Sequence, residues 1–197
     1  MPHPTRRIEA FSDAVIAIAI TLLVLEIAVP GPDQDVGEAL SELLPELLSF
    51  VLSFLVIGRY WIAHSATLDR AKTVDNGLLW WNLAFLLSIA FLPFPTALLG
   101  EHLDDTAAAV VYALSMAVVG ATSTALWLYV ANATANDVAE NDRRAVLKRA
   151  ATIPALFVLS IPFAWLDLGD VTAASLAWVA GLALLLGRSR LKTRTGS

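Results

Sequence analysis

The residues best suited to chemistry lie near the start of the chain, where ionisable side chains interrupt an apolar segment. Arg7, Ser12 and Asp13 lie close together, and Asp13 is followed by the uncharged run 14–25. A carboxylate on so short a side chain needs hydrogen-bond donors at that depth, because it cannot reach the interface easily. Later apolar segments contain three candidate donors: Trp61, His64 and Asn82. The pattern predicts a polar contact between the first helix and its neighbours.

The same run carries a stripe of aliphatic side chains. Ile18, Leu22, Leu25 and Val29 recur at spacings of four, three and four, which places them on one helical face, with Thr21 beside it. Such stripes are common in membrane helices, so the spacing alone favours packing or lipid contact. Ionisable groups within a spanning segment, however, usually face a bundle interior or a water-filled cavity. The first helix is therefore the best candidate to line a pathway.

The elements that must position these residues are membrane helices. Hydrophobic residues make up 57% of the 197 residues and charged residues 16%, against about 45–50% and about 25% in soluble domains. A spanning helix needs about 20 mainly apolar residues. We predict an all-α membrane protein with one domain, residues 1–197, and kinks at the prolines within its helices. The six predicted helices cover approximately 8–29, 43–64, 77–99, 106–131, 150–166 and 171–187.

The distribution of basic residues predicts the orientation of the chain. Arg6 and Arg7 precede the first predicted helix. The other Lys and Arg residues are predicted to lie on the same side of the membrane as these two. The opposite loops contain no Lys or Arg but hold nine acidic residues: Asp33, Asp35, Glu38, Glu42, Glu101, Asp104, Asp105, Asp167 and Asp170. Since cytoplasmic loops carry the excess of Lys and Arg, both termini are predicted to be cytoplasmic.

Several strings in the first three predicted helices resemble a known family. Arg7-x-x-x-Phe11-Ser12-Asp13 is followed by Ala-Ile-Ala-Ile-Thr-Leu-Leu-Val-Leu-Glu, while Trp61-x-x-His64, Asn82 and Phe-Leu-Pro-Phe-Pro-Thr at 91–96 come later. Together they resemble the transmembrane protein 175 family of potassium channels, in its short prokaryotic form. Ala14 departs from the glycine often found after the Ser-Asp pair. Beyond about residue 105 only the six-helix outline is similar.

The resemblance implies a homotetrameric potassium channel of the cell membrane, with the first helix of each subunit around a central pore. It places the narrowest hydrophobic ring at Ile18, further rings at Leu22 and Leu25, and a polar ring at Thr21. It also implies a polar network that holds the first helix in place and contains Arg7, Phe11, Ser12, Asp13, Trp61, His64 and Asn82. The bilayer and the other subunits are then the partners, and permeant K⁺ is the only ion implied.

Motifs of other transport mechanisms are missing from the sequence. There is no Thr-Val-Gly-Tyr-Gly filter and no arginine ladder of a voltage sensor. No phosphate-binding loop, cofactor motif or cluster of metal ligands suggests an enzyme or a nucleotide-binding protein, and the charge pattern does not indicate nucleic acid. A pore of this kind must select by its side chains. A proton-conducting channel and a proton-coupled transporter, with Asp13 and His64 as relay groups, remain the alternatives.

Overall fold

The computed structural model describes residues 4–102, 105–133 and 155, and the elements within these ranges are all helices. In chain order they are α1 (Pro4–Leu22), a 3₁₀ turn (Leu23–Glu26), α2 (Val36–Glu42), α3 (Leu44–Leu68), α4 (Asn76–Phe91), α5 (Pro93–Glu101) and α6 (Thr106–Ala133). Four stretches are long and apolar enough to cross a membrane: Thr5–Glu26, Glu46–Leu68, Asn76–Glu101 and Thr106–Ala133. The predicted helices at 150–166 and 171–187 lie outside the described residues.

The first membrane-spanning stretch is shifted toward the N-terminus relative to the prediction of 8–29. It is helical from Pro4, the first residue that the structure describes, and proline is tolerated in the first turn of a helix because it has no N–H to leave unpaired. It ends at Glu26, and Ile27 adopts an extended conformation with φ −82° and ψ 118°. Val29 precedes Pro30, a position where the helical conformation is disfavoured.

The second stretch extends further than the predicted end at residue 64. Thr67 Oγ1 donates to the carbonyl of Ala63 at 2.8 Å, and Leu68 is buried beside Ile8 and Leu78. This burial stabilises one additional turn. The short helix α2 was not predicted; it begins where Asp35 Oδ1 accepts a hydrogen bond from the Glu38 N–H at 3.0 Å.

The third stretch consists of two helices, α4 and α5, which meet next to Pro93, one of the two prolines at which the sequence predicts a kink. Pro93 lacks an N–H, so the Ile89 carbonyl accepts from Leu92 at 3.1 Å instead. Leu92 retains helical dihedral angles, with φ −59° and ψ −32°. Thr96 Oγ1 donates a hydrogen bond to the Leu92 carbonyl oxygen at 2.8 Å. The backbone therefore keeps helical dihedral angles through a one-residue interruption, which matches the predicted kink and not an unwound segment.

The helices pack around one main core. α4 lies against α6, α3 against α5, and α1 against both α3 and α4. The main cluster joins all of these helices and includes the fully buried Ile16, Phe85, Tyr112 and Met116. A second cluster gathers the start of α1, the end of α3, the start of α4 and the end of α6. These four helix ends therefore share one end of the bundle. We call it the basic end, because it carries Arg6, Arg7, Arg70 and Lys72.

A buried cluster of three hydroxyl groups links α3, α5 and α6. Ser53 Oγ lies 2.9 Å from Thr96 Oγ1 and 3.0 Å from the Tyr112 hydroxyl, and all three side chains are buried. Since an unpaired hydroxyl in an apolar interior is costly, the three groups satisfy one another. The cluster ties α5, the helix after the proline kink, to its two neighbours.

Candidate pore-lining surface and its polar anchor

The helix α1 has one face that is buried in its own subunit. Ile8, Ser12, Ile16, Ala19 and Leu23 are all less than one-tenth exposed, and they recur at spacings of four, four, three and four. These positions lie on one side of a helix. That side packs against α3 and α4, so the rotation of α1 about its own axis is fixed by the bundle.

The stripe singled out from the sequence begins on another face of α1: Ile18 and Leu22 lie on α1, whereas Leu25 lies in the 3₁₀ turn and Val29 follows the end of the helix, so the prediction that all four share one helical face is wrong for Val29. Ile18 is 58% exposed, Leu25 75% and Val29 90%, and Leu22 is also exposed. Within the described part of the subunit, these side chains therefore do not contribute to the core. A continuous exposed apolar surface indicates contact with lipid, with another subunit or with a pore.

Thr21 lies beside this stripe and is exposed as well. Its hydroxyl donates to the Ile18 carbonyl one turn earlier, at 2.9 Å. The Thr21 hydroxyl hydrogen is used in this bond, but the hydroxyl oxygen still has lone pairs that can accept. Thr21 can therefore present an oxygen atom beside the exposed aliphatic side chains.

A hydrogen-bonded anchor connects the buried face of α1 to α3 and α4. Asn82 Nδ2 donates to Ser12 Oγ at 3.0 Å, and Asn82 Oδ1 lies 2.7 Å from His64 Nε2. Because the amide oxygen only accepts, His64 donates from Nε2. The imidazole also stacks on Phe85, with ring centroids 4.9 Å apart. Ser12, His64 and Asn82 are buried, so one amide joins three helices in the interior.

A second contact connects α1 to α3 at the surface. Trp61 Nε1 donates to Asp13 Oδ1 at 2.8 Å. The expectation that Asp13 is buried is wrong for the subunit, because this carboxylate is exposed and Trp61 is 43% exposed. Asp13 follows Ser12 on the helix and so points away from the buried face. One donor is enough for it at this position, because its other oxygen remains accessible.

Arg7 and Phe11, the remaining residues of the predicted network, lie nearby without joining these hydrogen bonds. Both are exposed and border a cleft that Asn82 also lines. In the described residues Arg7 has no hydrogen bond or ion pair. The structure therefore brings together five of the seven predicted network residues through hydrogen bonds, and it leaves Arg7 and Phe11 beside them.

Sequence reasoning missed a contact at the basic end, between the start of α4 and the end of α6. Asp75 accepts from the Leu78 N–H at 2.8 Å, and its other oxygen accepts from the Tyr129 hydroxyl at 2.8 Å. The Leu78 N–H first, and then Tyr129, hold the pKa of the Asp75 carboxyl below its usual value. A Cβ on Gly77 would collide with the Tyr129 ring. An Asp directly before an apolar helix is a helix-start signal that predicts the cap, though not Tyr129.

Comparison with known proteins identifies the group to which this bundle belongs. The family model for the endosomal/lysosomal potassium channel TMEM175 matches residues 7–93. A protein named as a potassium channel from Chamaesiphon minutus is 38% identical over 179 residues, which are 84% of this chain and 88% of that relative. The chain belongs to the TMEM175 family.

Other TMEM175 relatives cover less of the chain. A protein named as a potassium channel from Streptomyces collinus is 44% identical over 130 residues, and the alignment spans 63% of each chain. The endosomal/lysosomal proton channel TMEM175 of Gallus gallus is 31% identical over 100 residues, only 20% of its length.

The fold of this TMEM175 family member also matches a solved structure. The crystal structure of a lysosomal potassium-selective channel TMEM175 homolog from Chamaesiphon minutus aligns with a TM-score of 0.78 and 31% identity, over 97% of this chain and 98% of that one. Among the described residues no group of three or more His, Cys, Asp or Glu side chains comes together as a metal site.

Proposed function

We propose that this chain is a subunit of a potassium-permeable cation channel and not an enzyme. The observation that carries the proposal is the arrangement of α1, which is anchored by its polar face and exposes its aliphatic stripe outside the subunit core. Relatives named as potassium channels, one of them similar over most of both chains, support the same activity.

The proposed channel is a homotetramer of six-helix subunits that form one domain each. A single α1 cannot enclose a pore, whereas symmetric copies around an axis can. The predicted helices at 150–166 and 171–187 complete each subunit. The similarity to a solved channel over 97% of this chain supports the proposal.

Selectivity is proposed to come from the stripe. Four copies of Ile18 form the narrowest ring, with Leu22 and Leu25 as further rings and Thr21 as a polar ring. Aliphatic side chains offer no ligand in place of hydration water, so the ring penalises the more strongly hydrated ion. Sodium holds its water more tightly than potassium, so potassium passes more readily. The preference is modest, and the same rings close the pore by dewetting.

The polar anchor is proposed to hold α1 at the angle that this ring requires. Ser12 and Asp13, near the middle of α1, hold the helix through Asn82 and Trp61 respectively. Because His64 fixes the far side of Asn82, a change at any of these residues displaces the stripe as well. We propose the cell membrane as the location, with both termini cytoplasmic, since the described Arg and Lys residues concentrate at the basic end.

Proton conduction through the same pore is the second candidate function. Vertebrate relatives carry the name of a proton channel, with 31% identity in Gallus gallus and 28% in Homo sapiens. A pore closed by dewetting admits water when it opens, and a chain of water molecules carries protons. Purified protein in liposomes, measured under a pH gradient without potassium, separates this activity from potassium flux.

The test of the proposed selectivity is the reversal potential under potassium and sodium gradients. Ile18→Asn replaces an aliphatic ring by amides that coordinate a partly hydrated cation, so we expect a smaller preference for potassium with equal or larger total current. Ile62→Asn is the matched control, because Ile62 has nearly the same exposure, 57%, but lies on α3. We expect it to leave the reversal potential unchanged. An unchanged reversal potential in assembled Ile18→Asn protein would show that the stripe is not the filter.

A further inference from the structure

The helix α3 carries a row of exposed side chains that is apolar except for one arginine. The residues of this row recur at spacings of four, three, four, four and three, which places them on one side of a helix. The buried Ser53, Ile57 and Tyr60 lie on the other side. The row, which we call the outer face of α3, consists of Leu44, Leu48, Val51, Leu55, Arg59 and Ile62. The described helices leave this face uncovered.

The outer face is also distinct from the side of α3 that contacts α1. Trp61, which donates to Asp13 of α1, comes two residues after Arg59. Residues two apart point to nearly opposite sides of a helix. Within one subunit, the proposed pore-lining helix therefore does not cover the outer face.

Arg59 lies deep within the membrane-spanning stretch Glu46–Leu68. It follows Glu46 by about 20 Å and precedes Leu68 by about 13 Å, at 1.5 Å per residue. Helical side chains incline toward the N-terminus, so the guanidinium points away from the nearer, basic end. A charged side chain at this depth is costly unless it pairs with protein groups or reaches water. The outer face is therefore unsuited to contact with lipid alone.

The described residues do not supply a partner for this charge. Within them, the Arg59 guanidinium has no hydrogen bond or ion pair. Among the carboxylates of the described spanning stretches, only Asp13 lies at a comparable depth, and Trp61 holds it on another side of α3. The outer face must therefore be covered by a segment that combines apolar side chains with a neutral acceptor.

The predicted helix 150–166 has this composition and this acceptor. Except for residue 155, it lies outside the described residues. It contains no charged side chain and follows Arg149, so it is predicted to begin at the basic end. Pro162 has no N–H, which leaves the carbonyl of Val158 without its usual helical donor. Val158 comes about 12 Å after the predicted start, a depth that matches that of Arg59.

We infer that the segment 150–166 covers the outer face of α3 and that Arg59 donates to the carbonyl of Val158. Hydrogen bonds from a charged donor are stronger than those between neutral groups. The contact satisfies two groups that are costly in a membrane, an unpaired guanidinium and an unpaired carbonyl. The inference rests on the proposed six-helix subunit, and it does not depend on which ion the pore conducts.

Disulfide cross-linking tests the contact, because the chain has no cysteine of its own. Leu55→Cys is combined in turn with a cysteine at each of residues 158–165 except Pro162, about two helical turns that bracket the depth of Leu55. We expect at least one pair to form a disulfide within a single chain on mild oxidation, measured as the loss of both free thiols in the denatured monomer. Phe54→Cys is the matched control, because its exposure, 44%, is close to the 39% of Leu55 but it points to another side of α3.

The cross-links also identify a different occupant of the outer face. Disulfides with Phe54→Cys but not with Leu55→Cys, or with neither, would overturn the assignment. If Leu55→Cys alone links two chains, a second copy covers the face and the proposal fails.

Thermal midpoints of the purified oligomer test the hydrogen bond itself. Pro162→Ala restores an N–H that occupies the Val158 carbonyl, so Arg59 loses its acceptor and the midpoint should fall by a few degrees. In an Arg59→Met background the same substitution should leave the midpoint equal or higher, because no guanidinium then needs this carbonyl. Equal shifts in the two backgrounds would show that Arg59 does not bond the carbonyl of Val158.

Discussion

Asn82 is a single side chain on which two others depend. It gives Ser12 of α1 a donor and His64 of α3 an acceptor, and it is itself buried in α4. An amide is suited to this position because it offers a donor and an acceptor on one planar group. Loss of the amide therefore disturbs the contact of α1 with both neighbouring helices at once.

Asn82→Leu should consequently destabilise the protein and impair the channel. It leaves Ser12 and His64 without partners, and each unpaired buried group costs about 1–3 kcal/mol. We expect a lower thermal midpoint and reduced potassium flux in liposomes. Ser88→Ala is the matched control on the same helix: Ser88 bonds Thr122 of α6 at 3.0 Å and has no hydrogen bond to α1. This control should lose stability alone. Equal flux in both variants would contradict the role of the anchor.

At the scale of the element, the start of α4 depends on one capping residue. Asp75 caps the helix through Leu78 and also receives the Tyr129 hydroxyl from α6. The pKa of its carboxyl is lower in the folded protein than the ordinary value of 3.8. Its stabilising contribution is therefore fully present above that value, and it is lost as the pH falls through the lowered pKa.

Asp75→Asn should reveal this contribution, because asparagine also caps helices but does not titrate. The wild type should be more stable than the variant at neutral pH, and the difference should shrink as the pH falls below about 4. Thermal midpoints measured across this range provide the comparison. Gly77→Ala should reproduce the effect of Tyr129→Phe, since the added methyl group displaces the same ring. A difference that grows in acid would show that Asp75 is not stabilised as its carboxylate.

The sequence predicts helices well where charges or prolines mark their ends. The charge-free runs 77–99 and 106–131 lie within two residues of the structure at the start of α4, the end of α5 and the start of α6, and α6 is helical through Ala133, the last described residue of that range. The end of α3 was missed because Ser65, Ala66 and Thr67 carry no signal for a stop, and only burial of Leu68 decides it. Asp35 is a recognisable capping residue for α2. However, α2 has only seven residues and lies in an acidic loop, so it lacks the apolar periodicity that predicts a helix.

The contacts between helices are harder to predict than the helices themselves. The donors to Ser12 and Asp13 can be predicted, because side chains with N–H donors are rare in the apolar segments of the chain. The cluster of Ser53, Thr96 and Tyr112 was not found. Its members face one another only at a particular rotation of each helix about its axis. The cluster joins α3, α5 and α6, and α6 is apolar on all sides, so its sequence does not specify that rotation.

For the molecule as a whole, the proposed property to test is the number of subunits. A tetramer should have four times the mass of the 21.1 kDa chain in native mass spectrometry. The chain has no cysteine, so a single introduced thiol reports on one position without background.

Leu25→Cys should form disulfide-linked pairs of chains on mild oxidation, because copies of the stripe meet around the axis and a disulfide requires Cα atoms within about 7 Å. Leu114→Cys on α6 is the control; Leu114 is also exposed, but the proposed pore does not include it. It should remain monomeric on a denaturing gel. Cross-linking of the control but not of Leu25→Cys would place α6, and not α1, at the axis.

The helix α6 has 28 residues and is therefore about 42 Å long, while the hydrocarbon core of a bilayer is about 30 Å thick. It must tilt or extend into the headgroups, and the tilt increases in a thinner membrane. α6 packs against α4, and α4 holds α1 through Asn82. We therefore expect hydrophobic mismatch at α6 to reach the proposed pore-lining stripe through these contacts, which makes the thickness of the host bilayer a variable in the proposed conduction.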